Sequence, residues 1–111
     1  MGSLTRNEEI ILVSILKLRA NAYGVGIKNQ IHELTGEDWN YGLLYCTLDQ
    51  LTKKGLLIKK EGQPIPERGG RRKIFYSISP SGRRALAEAY ELKKSLWQGI
   101  VPGLLKKGET G

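Results

Sequence analysis

From residue 10 onward, Ile10, Ile11, Leu12, Val13, Ile15, Leu16 and Leu18 are apolar around most of a helical circumference. A surface helix needs only one apolar stripe, so this pattern predicts a helix that is central or covered by a second subunit. Just before it, Thr5-Arg6-Asn7-Glu8 has the spacing of a capping box, in which hydroxyl and carboxylate each take up an unpaired amide. Ala20 to Gly24 breaks the pattern. A second helix is predicted over residues 24–34, with Ile27, Ile31 and Leu34 at i, i+4 and i+7, and Gly36 ends it. Asn40 can cap a third helix over residues 41–54 that stops at Gly55. Its inward stripe is Leu44, Leu48 and Leu51, with Tyr41 and Tyr45 at one margin. The opposite face holds Gly42, Leu43, Cys46, Gln50 and Lys53, a surface better suited to close approach by another molecule than to water.

The period then changes from helix to strand. Leu56-Leu57-Ile58 opens a short strand, residues 62–70 are turn-rich, and Lys73-Ile74-Phe75-Tyr76-Ser77-Ile78 reads as the return strand. Pro64, Pro66, Gly69 and Gly70 make the connection too long for a two-residue hairpin. Ser79-Pro80 is a good helix start, with serine as cap and proline at the first position. The last helix is expected over residues 80–98, with Leu86, Ala89, Tyr90, Leu96 and Trp97 as its stripe and Lys93 interrupting it. His32, beside Ile31, reads as an ordinary boundary histidine.

The 111 residues suit one compact α+β domain that is mostly α: three helices with a two-stranded wing over residues 1–79, a C-terminal dimerisation helix over 80–103, and a mobile tail over 104–111. The longest apolar run is far shorter than a membrane span needs, and no apolar leader follows Met1-Gly2-Ser3, so no membrane association is expected. Cys46 and His32 are the only residues of their kinds. A lone thiol makes no internal disulfide, the pair makes no structural zinc site, and the expected compartment is the cytoplasm.

Charge sharpens the picture. The net charge is +7, and eight basic residues (Lys53, Lys54, Lys59, Lys60, Arg68, Arg71, Arg72 and Lys73) fall within one stretch against Glu61 and Glu67, so that stretch carries +6 of the total. Such a local patch is the electrostatic footprint expected of a polyanion-binding surface. Three helices, a basic hairpin and a further helix follow the order of a winged helix-turn-helix, in which the third helix enters the major groove of double-stranded DNA. Arg68-Gly69-Gly70-Arg71-Arg72-Lys73 would be the wing, pairing cations with glycines that let the backbone approach phosphates. The expected DNA contacts are Asn40, Tyr41, Gly42, Leu43, Tyr45, Cys46, Gln50 and Lys53 on the helix, with Arg68, Gly70, Arg71, Arg72 and Lys73 on the wing. Leu86, Ala89, Tyr90, Lys93, Leu96 and Trp97 are the expected homodimer surface, since a domain this small has little core left to cover them.

Tyr23-Gly24, Gly42-x-Leu44-Tyr45-x-x-Leu48-x-x-Leu51-x-x-x-Gly55-Leu56-Leu57, Gly69-Gly70-Arg71-x-Lys73-x-x-Tyr76 and Gly82-x-x-x-Leu86 occur in this order. In this the sequence resembles the PadR family of transcriptional regulators over about residues 9–90, in its short form with one C-terminal helix. The resemblance implies a winged-helix domain, a dimerisation helix and repression through a palindromic operator. It places the start of the recognition helix at residues 40–45 and the wing tip at 69–73. Leu43 stands where that family often has serine or threonine, and so offers apolar contact there.

Catalysis has little to stand on. With one histidine, one cysteine and two aspartates, no activated nucleophile can be assembled, Gly24-Val25-Gly26 follows no strand, and no phosphate-binding lysine loop is present. No cofactor is expected. The alternative reading is a sensor of the same fold, with Trp39, Tyr90 and Trp97 lining a pocket for a small aromatic ligand at the dimer interface.

Overall fold

The computed structural model describes residues 3–64, 72–100 and 103. Helix α1 (Arg6–Leu18) leads through one 3-10 turn to α2 (Gly24–Thr35) and α3 (Tyr41–Lys53). Strands β1 (Leu57–Pro64) and β2 (Arg72–Ile78) follow, and then α4 (Pro80–Trp97). The architecture is the expected one: four helices and a two-stranded antiparallel sheet, mostly helical.

Local chemistry sets the helix ends. Thr5 accepts from the Glu8 amide at 3.1 Å and Glu8 Oε1 accepts from the Thr5 amide at 2.9 Å, which completes the capping box. Asn40 Oδ1 accepts from the Leu43 amide at 2.7 Å at the start of α3. Gly36 and Gly55 stop the second and third helices in the left-handed region, at φ of 76° and 77°, where a side chain is disfavoured.

The core forms where three helices and the sheet meet: Ile11, Leu12 and Ile15 of α1, Ile27 and Ile31 of α2, Leu44, Leu48 and Leu51 of α3, with Leu57, Tyr76 and Ile78 from the strands. The predicted stripe of α3 is thus fully buried. Leu34 departs from expectation. It is 41% exposed, because its stripe reaches the last turn of α2 after the packing has ended.

Glu8 is 1% exposed, and its second oxygen accepts from Lys54 Nζ at 2.6 Å. Lys54 caps the far end of α3, so this bond ties the start of the first helix to the end of the third. Burial alone would raise the Glu8 pKa, but the hydrogen bonds from Lys54 and from the Thr5 amide outweigh it and hold the carboxyl below its ordinary value. A depressed carboxylate contributes stability that is complete above its unfolded pKa and is lost as pH falls through the folded one. Urea midpoints measured from pH 7 down to pH 3 should therefore fall less steeply for Glu8→Gln, which keeps the amide cap, than for the wild type. Equal slopes would show that Glu8 is not coupled to protons.

β1 is longer than the sequence suggests. It continues through Gly62 to Pro64, with a register irregularity between Glu61 and Pro64, because β2 supplies ladder partners along this length. A side chain on Gly62 would lie 2.8 Å from the Phe75 ring, so the missing one leaves that ring its place. The other edge of β2 is not open either. Tyr23 bridges to Phe75, and the Tyr76 amide donates to the Ala22 carbonyl at 2.8 Å, so the segment that breaks the helical pattern makes a single isolated bridge to the sheet.

Ser79 joins α4 to this frame. Its amide donates to the Leu56 carbonyl at 3.1 Å, its hydroxyl donates to the Gly55 carbonyl at 2.6 Å, and the same hydroxyl accepts from the Gly82 amide at 3.0 Å. Farther along, Lys93 Nζ donates to both Glu9 carboxylate oxygens at 2.9 Å, which explains a lysine within an apolar stripe.

Candidate nucleic-acid interface

With Leu44, Leu48 and Leu51 buried, the helical period turns Gly42, Cys46, Asp49 and Lys53 directly outward. All four are exposed, as are Asn40, Leu43 and Gln50 beside them. Gly42 and Cys46 are small, so the first two turns of α3 form a low ridge that a flat or grooved partner can approach closely. Asp49 is the member of this face that the sequence pattern does not single out, although the same 100° step that places Cys46 and Lys53 there places it too.

Tyr41 and Tyr45 flank one side of this ridge, stacked with centroids 6.1 Å apart and an interplanar angle of 21°. Lys28 of α2 lies 5.5 Å from the Tyr41 centroid and donates to Asp38 at 2.8 Å. A Cβ on Gly24 would lie 2.0 Å from the Tyr45 hydroxyl, so glycine at the start of α2 leaves room for the Tyr45 ring, which a larger residue would displace toward solvent. Behind them, burial, with the nearby charges of Tyr45 and Asp49, pushes Tyr76 up to about 12 and keeps its phenol neutral. On the other side, an open groove of about 360 Å³ separates Leu43 and Gln50 from Arg6 and Asn7 of α1. Arg6 is clamped to Glu37, whose carboxyl is held below its usual range first by Arg6 and then by Trp39.

The expected wing residues Arg68, Gly70 and Arg71 lie outside the described residues. Arg72 is placed by its backbone, opposite Pro64. Lys73 is half-buried at the start of β2, next to the connection between the strands, its ammonium 4.1 Å from the Tyr23 centroid. Lys59 and Lys60 are exposed on β1, and Lys53 and Lys54 at the end of α3, so cations line the route from recognition helix to hairpin.

The residues expected at a dimer surface divide along α4. Leu86 and Ala89 are half-buried against the domain, whereas Tyr90, Lys93, Leu96 and Trp97 are exposed. Leu92, not singled out in the sequence, and Ile100, which continues the stripe just past the end of the helix, extend the exposed apolar set, and Leu96 reaches 70% exposure. Trp39 is not with them. It sits in the core at 5% exposure, with its indole N–H donating to Glu37 at 3.0 Å. Among the described residues no group of His, Cys, Asp and Glu is placed to hold a metal ion, and no helix is long and apolar enough to cross a membrane.

The chain is similar to several solved structures. One is described as the complex structure of hsRosR-S1, a form of RosR from H. salinarum: it is 31% identical with a TM-score of 0.69, covering 96% of this chain and 87% of that one. A PadR family transcription regulator from Clostridium difficile R20291 is 29% identical with a TM-score of 0.61, over 89% of this chain and 95% of that one. F93 from STIV, a winged-helix DNA-binding protein, shares the fold at 20% identity with a TM-score of 0.67, over 86% and 95% of the two chains. No curated protein matches the chain. The model of the transcriptional regulator PadR-like family matches residues 12–88, from the buried face of α1 to the middle of α4. Family and fold are those of DNA-binding transcriptional regulators and not of enzymes. The chain belongs to the PadR-like family of transcriptional regulators.

Proposed function

We propose that this regulator is a sequence-specific repressor that binds a palindromic operator as a homodimer, with residues 1–79 as the DNA-binding unit and residues 80–103 joining the two copies. The observation that carries this reading is the apolar second half of α4, where Tyr90, Leu92, Leu96 and Trp97 stay exposed among the described residues. Burying such side chains in a twin copy is favourable by roughly 1.5–3 kcal/mol each. A two-fold pair presents two recognition helices to successive major-groove faces, which demands an inverted-repeat site.

In this reading Asn40, Tyr41, Gly42, Leu43, Tyr45, Cys46, Gln50 and Lys53 meet the groove. Arg68, Gly70, Arg71, Arg72 and Lys73 meet the backbone beside it. Phosphate contacts set affinity and its salt dependence, whereas contacts with base edges set sequence preference. Occupancy of an operator that overlaps a promoter would exclude polymerase. The lone thiol, Cys46, fits a reducing cytoplasm.

Selection of bound duplexes from a random pool by the full chain tests the proposal: an inverted repeat should be enriched, and a lone asymmetric site would refute the two-fold arrangement. On the selected duplex, Arg71→Ala with Arg72→Ala should weaken binding to all sequences and reduce the slope of log K against log salt by about two. An unchanged slope would remove the wing from the contact set. Exposure of Tyr90 and Trp97 supports a second reading, in which a planar aromatic compound lodges between the copies and alters operator affinity.

A further inference from the structure

The outward ridge of α3 carries one feature that does not suit a surface meant to meet phosphates. Asp49 is the one acidic residue of the helix, it stands between Cys46 and Lys53 on the ridge, and it is exposed. Among the described residues it takes part in neither a hydrogen bond nor an ion pair, although Lys53 lies one turn away. Its charge lies near the buried Tyr76 phenol, whose ionisation it disfavours, but no cap, hydrogen bond or salt link among the described residues accounts for it. Its position costs affinity for any duplex, since a carboxylate facing DNA is repelled by both phosphate strands.

Chemistry supplies a use. An ionised carboxylate accepts hydrogen bonds and donates none. In the major groove the donors are the exocyclic amino groups of cytosine and adenine, while guanine and thymine present acceptors at their edges. The amino group of adenine lies between two acceptors, its own N7 and the O4 of the paired thymine, which repel the second carboxylate oxygen; cytosine has a C5–H in place of N7, so one side is free of an acceptor. The aspartate arm is short, so it reaches a base edge only where the helix comes close. Gly42 and Cys46, the small residues that precede it on the ridge, allow that approach.

We propose that Asp49 is a specificity-determining residue, which accepts a hydrogen bond from the N4 amino group of a cytosine in each half-site and rejects guanine or thymine at that position. This rests on the reading of α3 as the helix that enters the major groove. Asp49 then acts as a selector: it weakens binding to DNA in general and restores affinity only where its oxygens find a donor.

The full chain and its Asp49→Asn and Asp49→Ala variants, each selecting from the same random duplex pool, test this. The wild type should enrich one fixed cytosine per half-site, preferred about tenfold or more over guanine or thymine. Asp49→Asn should shift that position to adenine, because an amide both accepts from N6 and donates to N7. Asp49→Ala should lose the preference at that position alone and bind unselected DNA more tightly. The side chain is exposed and unbonded, so thermal unfolding of both variants should match the wild type. A variant that enriches the wild-type site unchanged overturns the assignment of Asp49 while leaving the DNA-binding reading intact. Failure of the wild type to enrich any sequence overturns both.

Discussion

Gly82→Val is expected to lower stability by about 3 kcal/mol or more, or on the order of 10–20 °C in Tm, with α4 displaced from the rest of the domain. A Cβ at this position would sit 2.2 Å from the Leu56 carbonyl oxygen and 2.7 Å from Ile78 Cγ2. Neither obstacle can yield easily. The Leu56 carbonyl is held by the Ser79 amide, and Ile78 belongs to the core cluster. Helix propensity alone would favour a larger residue here, so a destabilised variant would show that close packing outweighs it. Thermal unfolding by circular dichroism is the measurement. A Tm equal to the wild type would mean that α4 can shift at no cost.

Trp97→Glu is expected to give a monomer in sedimentation equilibrium and to weaken operator binding by roughly a hundredfold or more, since the two half-sites would no longer be held by one linked pair. Trp97 is 42% exposed in the last turn of α4 and belongs to neither the buried cluster nor the side chains packed against it, so the folded monomer should tolerate the change. Affinity for a single half-site should stay as it was. A dimer that persists in this variant would move the interface away from the end of α4. A monomer that still binds the full operator at wild-type affinity would separate dimerisation from recognition.

What the sequence revealed follows the range of the forces concerned. The caps at Thr5, Asn40 and Ser79 were legible because each depends on a side chain and an amide three residues apart. The stripe of α3 was legible for a similar reason, with Leu44, Leu48 and Leu51 returning at the helical period. Tertiary pairing was not. Nothing local links Glu8 to Lys54 across 46 positions, or marks Tyr23 as the partner of Phe75. The extension of β1 past Gly62 depends on β2 being present, and the exposure of Leu34 depends on where the neighbouring helices end. In the candidate site, the ridge of α3 was found from its small and apolar members. Asp49 does not stand out in the sequence, because a charge on a helix face ordinarily means no more than contact with water.

The joint at Ser79 and Gly82 gives α4 the mechanics of a lever. The helix is held at its first turn to Leu56 and Ile78 and, farther along, by the weaker solvent-exposed Lys93–Glu9 pair, while its end lies some fifteen residues, or about 22 Å, beyond the joint. A tilt of about 10° at the joint therefore carries Trp97 through roughly 4 Å, more than the depth of one side-chain contact. The pivot bears on Leu56 and Ile78, at the root of the hairpin. In the proposed dimer, small angular adjustments between two such levers would change the spacing of the two recognition helices.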